Sequence, residues 1–236
     1  TEPKSTKPFD MPILWSHFGA LRELRSSKPL LLAALGDAWF WAFGGFFFLV
    51  LVKWAAIVGD PERFGFWFRL LGVGIMLGSM ISAYVGRGRV ELGIVPLGAL
   101  AMPVTLICLT LSDPMSTSFN VCCVLLGIGG AFFFVPLNAF LQDRAGEERR
   151  GRVVAASNLL TNLLSIAFIG MHYFLSGTLN LNPIEELWVM TVPAVLIAGF
   201  VWYLLPEEIF RIATRALTRI FYRLSVKGVE NLPKKG

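Results

Sequence analysis

The chain has 236 residues, 55% of them hydrophobic and only 16% charged, with a net charge of +5. A soluble domain carries about 25% charged residues, so this composition excludes an ordinary soluble enzyme and predicts an all-α, polytopic membrane protein. The basic residues lie between apolar runs and read as loop charges at a membrane face, which leaves no role for nucleic acid as a partner.

In chain order, residues 1–28 come first. They are polar, with Pro3, Pro8 and Pro12 and five basic residues. Ile13, Leu14, Phe18 and Leu21 recur there at helical spacing beside His17, Arg22 and Arg25. The pattern reads either as a short amphipathic helix on a membrane face or as a plain linker. Residue 1 is Thr and no signal-peptide pattern opens the chain, so it reads as an internal fragment.

Six apolar runs follow, at about 29–58, 64–86, 92–112, 117–141, 153–175 and 186–205. A spanning helix needs about 20 residues, so each run predicts one transmembrane span. The second run carries Gly74 and Gly78 four apart, a spacing that lets helix backbones approach closely. Cys108, Cys122 and Cys123 all lie inside runs and read as small packing residues rather than disulfides or metal ligands.

Lysine and arginine distribution sets the expected orientation. The N-terminal segment, the loop with Arg87 and Arg89, the loop with Arg144, Arg149, Arg150 and Arg152, and the tail after Leu205 together hold eighteen basic residues. The opposite loops hold only Arg63. By the positive-inside rule both ends are cytoplasmic.

The tail is no seventh span. Arg211, Arg215, Arg219 and Arg223 recur every four residues beside an apolar face at Ile209, Ala213, Leu217, Ile220 and Leu224. That is a basic amphipathic helix, placed against anionic membrane lipids or against a further domain. The closing LSVKGVENLPKKG reads as a short strand and turn, the start of a soluble domain.

No catalytic constellation, P-loop, dinucleotide fingerprint or Cys/His metal spacing is present in the sequence, so no cofactor or metal is expected and the chain itself reads as non-catalytic. The polar groups inside the spans are the better lead, because charge in hydrocarbon is expensive and faces protein or water. Asp37, between Trp39 and Trp41 on one side and the run's start on the other, reads either as a substrate or proton-coupling carboxylate or as the partner of a cytoplasmic-side arginine. Lys53 and Arg69 lie toward the outer side; they either snorkel to the interface, or one of them faces a central cavity and binds a phosphate, for which guanidinium geometry suits Arg69. Asn138 and Gln142 in span four, and Asn158 and Asn162 in span five, form same-face pairs near the charged loop. They read as interhelical hydrogen-bonding groups or as the lining of a polar path together with Asp37, Trp41 and Arg69.

Six spans entered through a long linker, with GRGRVELG at 86–93 between spans two and three, resemble the C-terminal half of a major facilitator superfamily transporter. That superfamily carries a Gly/Asp/Arg loop motif at this place. Gly86, Arg87 and Arg89 match it as a gating loop, and its aspartate is missing. GRGRVELGIVPLGALAM (86–102) and FFFVPLNAFLQDRAGEERRGRVVAASNLLTN (132–162) resemble more closely the bacterial lysophospholipid transporter branch. YRLSVKGVENLPKKG (222–236) is similar to the start of a 1-acylglycerol-3-phosphate acyltransferase-type domain.

The resemblance implies a fused inner-membrane protein that moves lysophospholipid inward and reacylates it. An N-terminal six-helix half and a C-terminal acyltransferase domain would be its partners in the parent chain. A small-molecule exporter of the same superfamily, or a membrane anchor for a lipid acyltransferase, would show the same six spans.

Overall fold

The computed structural model describes residues 24–25, 27–86, 90–146, 149–206 and 214. Most of the amphipathic segment expected in 1–28, Arg87 and Arg89, the arginine stripe at Arg211, Arg215, Arg219 and Arg223, and the segment 222–236 lie outside the described residues.

The described chain is helical, with six apolar helices long enough to cross a membrane. They are α1 (Lys28–Val58), α2 (Pro61–Gly86), α3 (Val95–Leu111), α4 (Thr117–Arg144), α5 (Arg150–Tyr173) and α6 (Pro183–Leu204). A single helical turn, Leu92–Ile94, leads into α3, and a wide π-type turn, Phe174–Thr178, extends α5. This is a multi-pass membrane protein built as a six-helix unit.

Local chemistry marks the helix ends. Pro29 stands in the first turn of α1, where a missing N–H is no loss. Gly59, at φ 77°, closes α1 in the left-handed conformation, so that the Asp60 N–H bonds back to the Ala55 carbonyl. Asn182 and Glu185 form a reciprocal capping box at the start of α6. At 1.5 Å per residue α1 is about 46 Å long, well beyond the roughly 30 Å of hydrocarbon it crosses.

Contacts between named residues fix the helix directions. Asp37 meets Asn138 while Trp54 meets Phe119, so α1 and α4 are antiparallel. Asp37 meets Ser157 and Phe46 meets His172, so α1 and α5 are parallel. Gly74 lies on Gly127 and Gly78 on Ala131, which makes α2 parallel to α4. Gly98 against Phe133 and Gly129 against Ala101 set α3 antiparallel to α4. Lys53 meets Glu186 and Trp202 meets the Pro96 carbonyl, which orients α6 against both α1 and α3. The helices therefore alternate, and the start of α1, the α4–α5 loop and the end of α6 share one end of the bundle.

The glycine pair of α2 does what its spacing predicts. A Cβ at Gly74 would fall 2.1 Å from the Val124 carbonyl oxygen, and one at Gly78 would fall 2.8 Å from Ala131 Cβ. Only glycine lets α2 and α4 approach this closely. Around this contact the core is aromatic, with Phe46, Phe47, Trp67, Phe119 and Phe133 fully buried. By contrast α2 and α5 turn long outer faces away from the bundle, with Met76, Met80 and Tyr84 exposed on one and Ile166 and Tyr173 on the other.

Candidate functional site

Two polar clusters sit at opposite ends of the helical unit, and α1 contributes to both. At the α4–α5 loop end, Asp37 is 4% exposed. Small residues on the same helix, Ala33, Ala34 and Ala38, are fully packed and let α4 and α5 come near. Asn138 Nδ2 donates to Asp37 Oδ1 at 3.3 Å, and Ser157 Oγ donates to Asp37 Oδ2 at 3.2 Å. Gln142 Nε2 donates in turn to Asn138 Oδ1 at 2.7 Å. Three helices thus converge on one carboxylate.

The partners of Asp37 among the described residues are neutral, an amide and a hydroxyl. The expected alternative, a cytoplasmic-side arginine paired with Asp37, is not what the described residues provide. A carboxylate held only by neutral donors in a low-dielectric setting keeps much of its electrostatic demand, and a cation or a proton arriving there meets a prepared acceptor.

The structure joins Asp37, Asn138 and Gln142 into one chain of hydrogen bonds and leaves the other predicted residues apart. Trp41 is 51% exposed and packs its ring against Phe134 at 5.4 Å. Arg69 is exposed, its Nε donating to the Gly65 carbonyl of its own helix at 3.2 Å. Asn158 and Asn162 lie on the outward face of α5. Gly86 ends α2 at the loop end, partly buried.

Ser157 was not anticipated. A helix advances about 100° per residue, so Ser157 faces α1 while Asn158, the larger and more conspicuous polar residue, faces outward. The small side chain beside an asparagine carried the contact.

At the other end, Glu186 of α6 is fully buried. It accepts from Lys53 Nζ at 2.6 Å through Oε1 and from the Nδ1–H of His172 at 2.7 Å through Oε2. Lys53 Nζ also donates to the Leu181 carbonyl. This corrects the expectation that Lys53 snorkels to the interface or serves a cavity: its ammonium group turns inward because a buried carboxylate needs it. Breaking such a pair would leave an uncompensated charge. The cluster ties α1, α5 and α6 together at the end away from the α4–α5 loop, and neither Glu186 nor His172 stands out in the sequence. Among the described residues no group of three His, Cys, Asp or Glu side chains could hold a metal ion.

The model of the Major Facilitator Superfamily matches residues 1–170. The chain belongs to the major facilitator superfamily. It is also related to proteins named lysophospholipid transporter LplT. One from Klebsiella pneumoniae subsp. pneumoniae is 27% identical over 177 residues, covering 73% of this chain and 44% of the relative. Others from Enterobacter sp. (strain 638) and Yersinia pestis (strain Pestoides F) are 27% and 28% identical over 165 and 162 residues. These cover 68% and 66% of this chain, and 41% and 39% of the relatives. The chain thus spans less than half the length of the curated relatives it matches. No solved structure matches significantly.

Major facilitator superfamily halves are built from two inverted three-helix repeats. The close antiparallel crossing of α1 and α4, the first helices of the two triplets, has the geometry that such an inversion produces.

Proposed function

We propose that this chain is one half of a transporter that moves lysophospholipid, of the lysophosphatidylethanolamine type, across a bacterial inner membrane by alternating access. The observation that carries the reading is the similarity to three proteins named lysophospholipid transporters over 66% to 73% of the chain. Both ends of the half face the cytoplasm on this reading, following the arginine and lysine distribution. A second six-helix half covers the outer faces of α2 and α5, so that Arg69, Asn158 and Asn162 border a central path beside Asp37, Asn138 and Gln142. Rocking of one half against the other then exposes that path alternately to the two sides.

The parent protein carries an acyltransferase domain after residue 236, the basic tail holding the junction against anionic lipids. Support for that part is the acyltransferase-like segment at 222–236. Gly86, Arg87 and Arg89 serve as the gating loop.

The test is transport by the parent protein in proteoliposomes. Lysophosphatidylethanolamine should cross, and Asp37→Ala and Asn158→Ala should each lower the rate several-fold while the protein still inserts. Full rates in both variants would remove these site assignments. Competition by a soluble drug-like cation, without lipid movement, would favour the small-molecule exporter instead.

A further inference from the structure

Two cavities meet at the α4–α5 loop end, and Asp37 lines neither. The first has a volume of about 390 Å³ and lies between α1, α3, α4 and α6. Leu32, Trp39, Phe133, Leu137, Phe200 and Leu204 are among its walls, and every lining residue is apolar. The second, about 420 Å³, is lined by Ser27, Leu30, Arg144 and Arg149 among others. Pro29 and Phe140 line both, so the two cavities are neighbours with a common wall.

Their dimensions and chemistry match one kind of molecule. The apolar cavity follows α1 from Pro29 to Trp39, about 15 Å at 1.5 Å per residue. That is half of the roughly 30 Å hydrocarbon thickness, the depth of one leaflet. An acyl chain is an apolar group of matching length for such a slot. Leu35, Phe200 and Leu204, all exposed, form the outer wall, and the cavity opens sideways to lipid.

The polar cavity continues from the shallow end of the apolar one, at the first turn of α1. Arg144 lies over the Phe140 ring, its guanidinium carbon 5.8 Å from the centroid, and so is held at the border between the two cavities. Neither Arg144 nor Arg149 is paired with a carboxylate among the described residues. Asp143, the acidic neighbour, does not line the cavity. Two guanidinium groups beside an apolar slot one leaflet deep are complementary to a phosphate carried on an acyl chain.

We infer that the two cavities form one binding site for a single-chain phospholipid, with the acyl chain between α1 and α6 and the phosphate at Arg144 and Arg149. The inference takes the single chain from the transport reading, on which it rests, and deepens that reading. It adds a holding site on the leaflet side of the half, separate from the Asp37 path, where the lipid enters or leaves the bilayer.

The experiment uses the full parent protein in nanodiscs and a lysophosphatidylethanolamine bearing a diazirine in its acyl chain. Photo-adducts are mapped by mass spectrometry, and lysophosphatidylethanolamine flux is measured on the same preparation in proteoliposomes. Adducts should concentrate on Leu137, Phe200 and Leu204. Unlabelled lysophosphatidylethanolamine should compete at least tenfold better than monoacylglycerol, and inorganic phosphate should not compete. Arg144→Gln with Arg149→Gln should abolish the preference over monoacylglycerol, and Val201→Trp should remove the cavity adducts. The arginine pair is exposed, so its variants test the site even where the tryptophan variant fails to fold.

Adducts confined to outward residues such as Val192 and Leu196, without competition, would mean ordinary boundary lipid and overturn the site. Equal competition by monoacylglycerol, or competition by phosphate alone, would overturn the assignment of the two arginines to a lipid headgroup. Intact flux without cavity adducts would remove this site and keep the transport reading; specific adducts without flux would do the reverse.

Discussion

Ser157 of α5 donates a hydrogen bond to Asp37 of α1 across 3.2 Å, while Asn158, the next residue, points out of the helical unit. The two neighbours therefore separate a structural role from an outward-facing one. Ser157→Ala should lower stability by about 1 kcal/mol, since Asp37 keeps only the Asn138 donor. Asn158→Ala should change stability by less than about 0.5 kcal/mol. Thermal unfolding in detergent, followed by loss of monodisperse protein, checks both. Equal losses would mean that the register of α5 is wrong.

Glu186 bridges Lys53 and His172 with no exposure of its own. Glu186→Gln leaves the Lys53 ammonium beside a neutral amide and should destabilise the fold by about 3–5 kcal/mol. Pairing it with Lys53→Met should recover a large part of that loss, because the uncompensated charge goes too. A double-mutant cycle on unfolding measures the coupling. Simple additivity of the two changes would show that the pair does not interact.

Gly74 and Gly72 lie two residues apart on α2 and meet different surroundings. A Cβ at Gly74 enters the α4 backbone, whereas one at Gly72 meets nothing within 4 Å. Gly74→Ala should be destabilising by about 1–3 kcal/mol through forced separation of the helices. Gly72→Ala should be neutral or stabilising by up to about 1 kcal/mol, since alanine favours the helix. Thermal unfolding of the two variants side by side gives the answer.

Orientation has a direct chemical test. Asp113 lies in the α3–α4 loop and Gly146 in the α4–α5 loop, at opposite ends of the bundle. With Cys108, Cys122 and Cys123 replaced by alanine, an impermeant maleimide added to spheroplasts should label Asp113→Cys and spare Gly146→Cys until the membrane is opened. The reverse pattern would invert the proposed topology.

Much of this architecture was legible in the chain. Apolar runs near 20 residues in length announce spanning helices with little ambiguity, and the Gly74/Gly78 spacing announced a close crossing. The approach of Asn138 and Gln142 to Asp37 was partly legible, because three polar side chains in hydrocarbon near one end have few other partners. Ser157 was not, since a serine in a membrane helix is too ordinary to single out beside an asparagine. Glu186 was missed for a different reason. It stands at the polar border of its apolar run, where an acidic residue reads as a helix-start charge, and only the folded position of Lys53 and His172 reveals that it is buried. A lysine near a helix end can reach outward or inward with equal ease, and the choice depends on a carboxylate 133 residues away.

The long first helix is fastened twice to the same neighbour. Near its start Asp37 grips Ser157, and about 24 Å further along, at 1.5 Å per residue, Lys53 is bridged through Glu186 to His172 of that same α5. A beam bolted to its companion at two levels about 24 Å apart resists hinging away from it at either. The α1–α5 pair should therefore tilt as one frame. Whatever seam opens during a working cycle lies beside this frame and not within it.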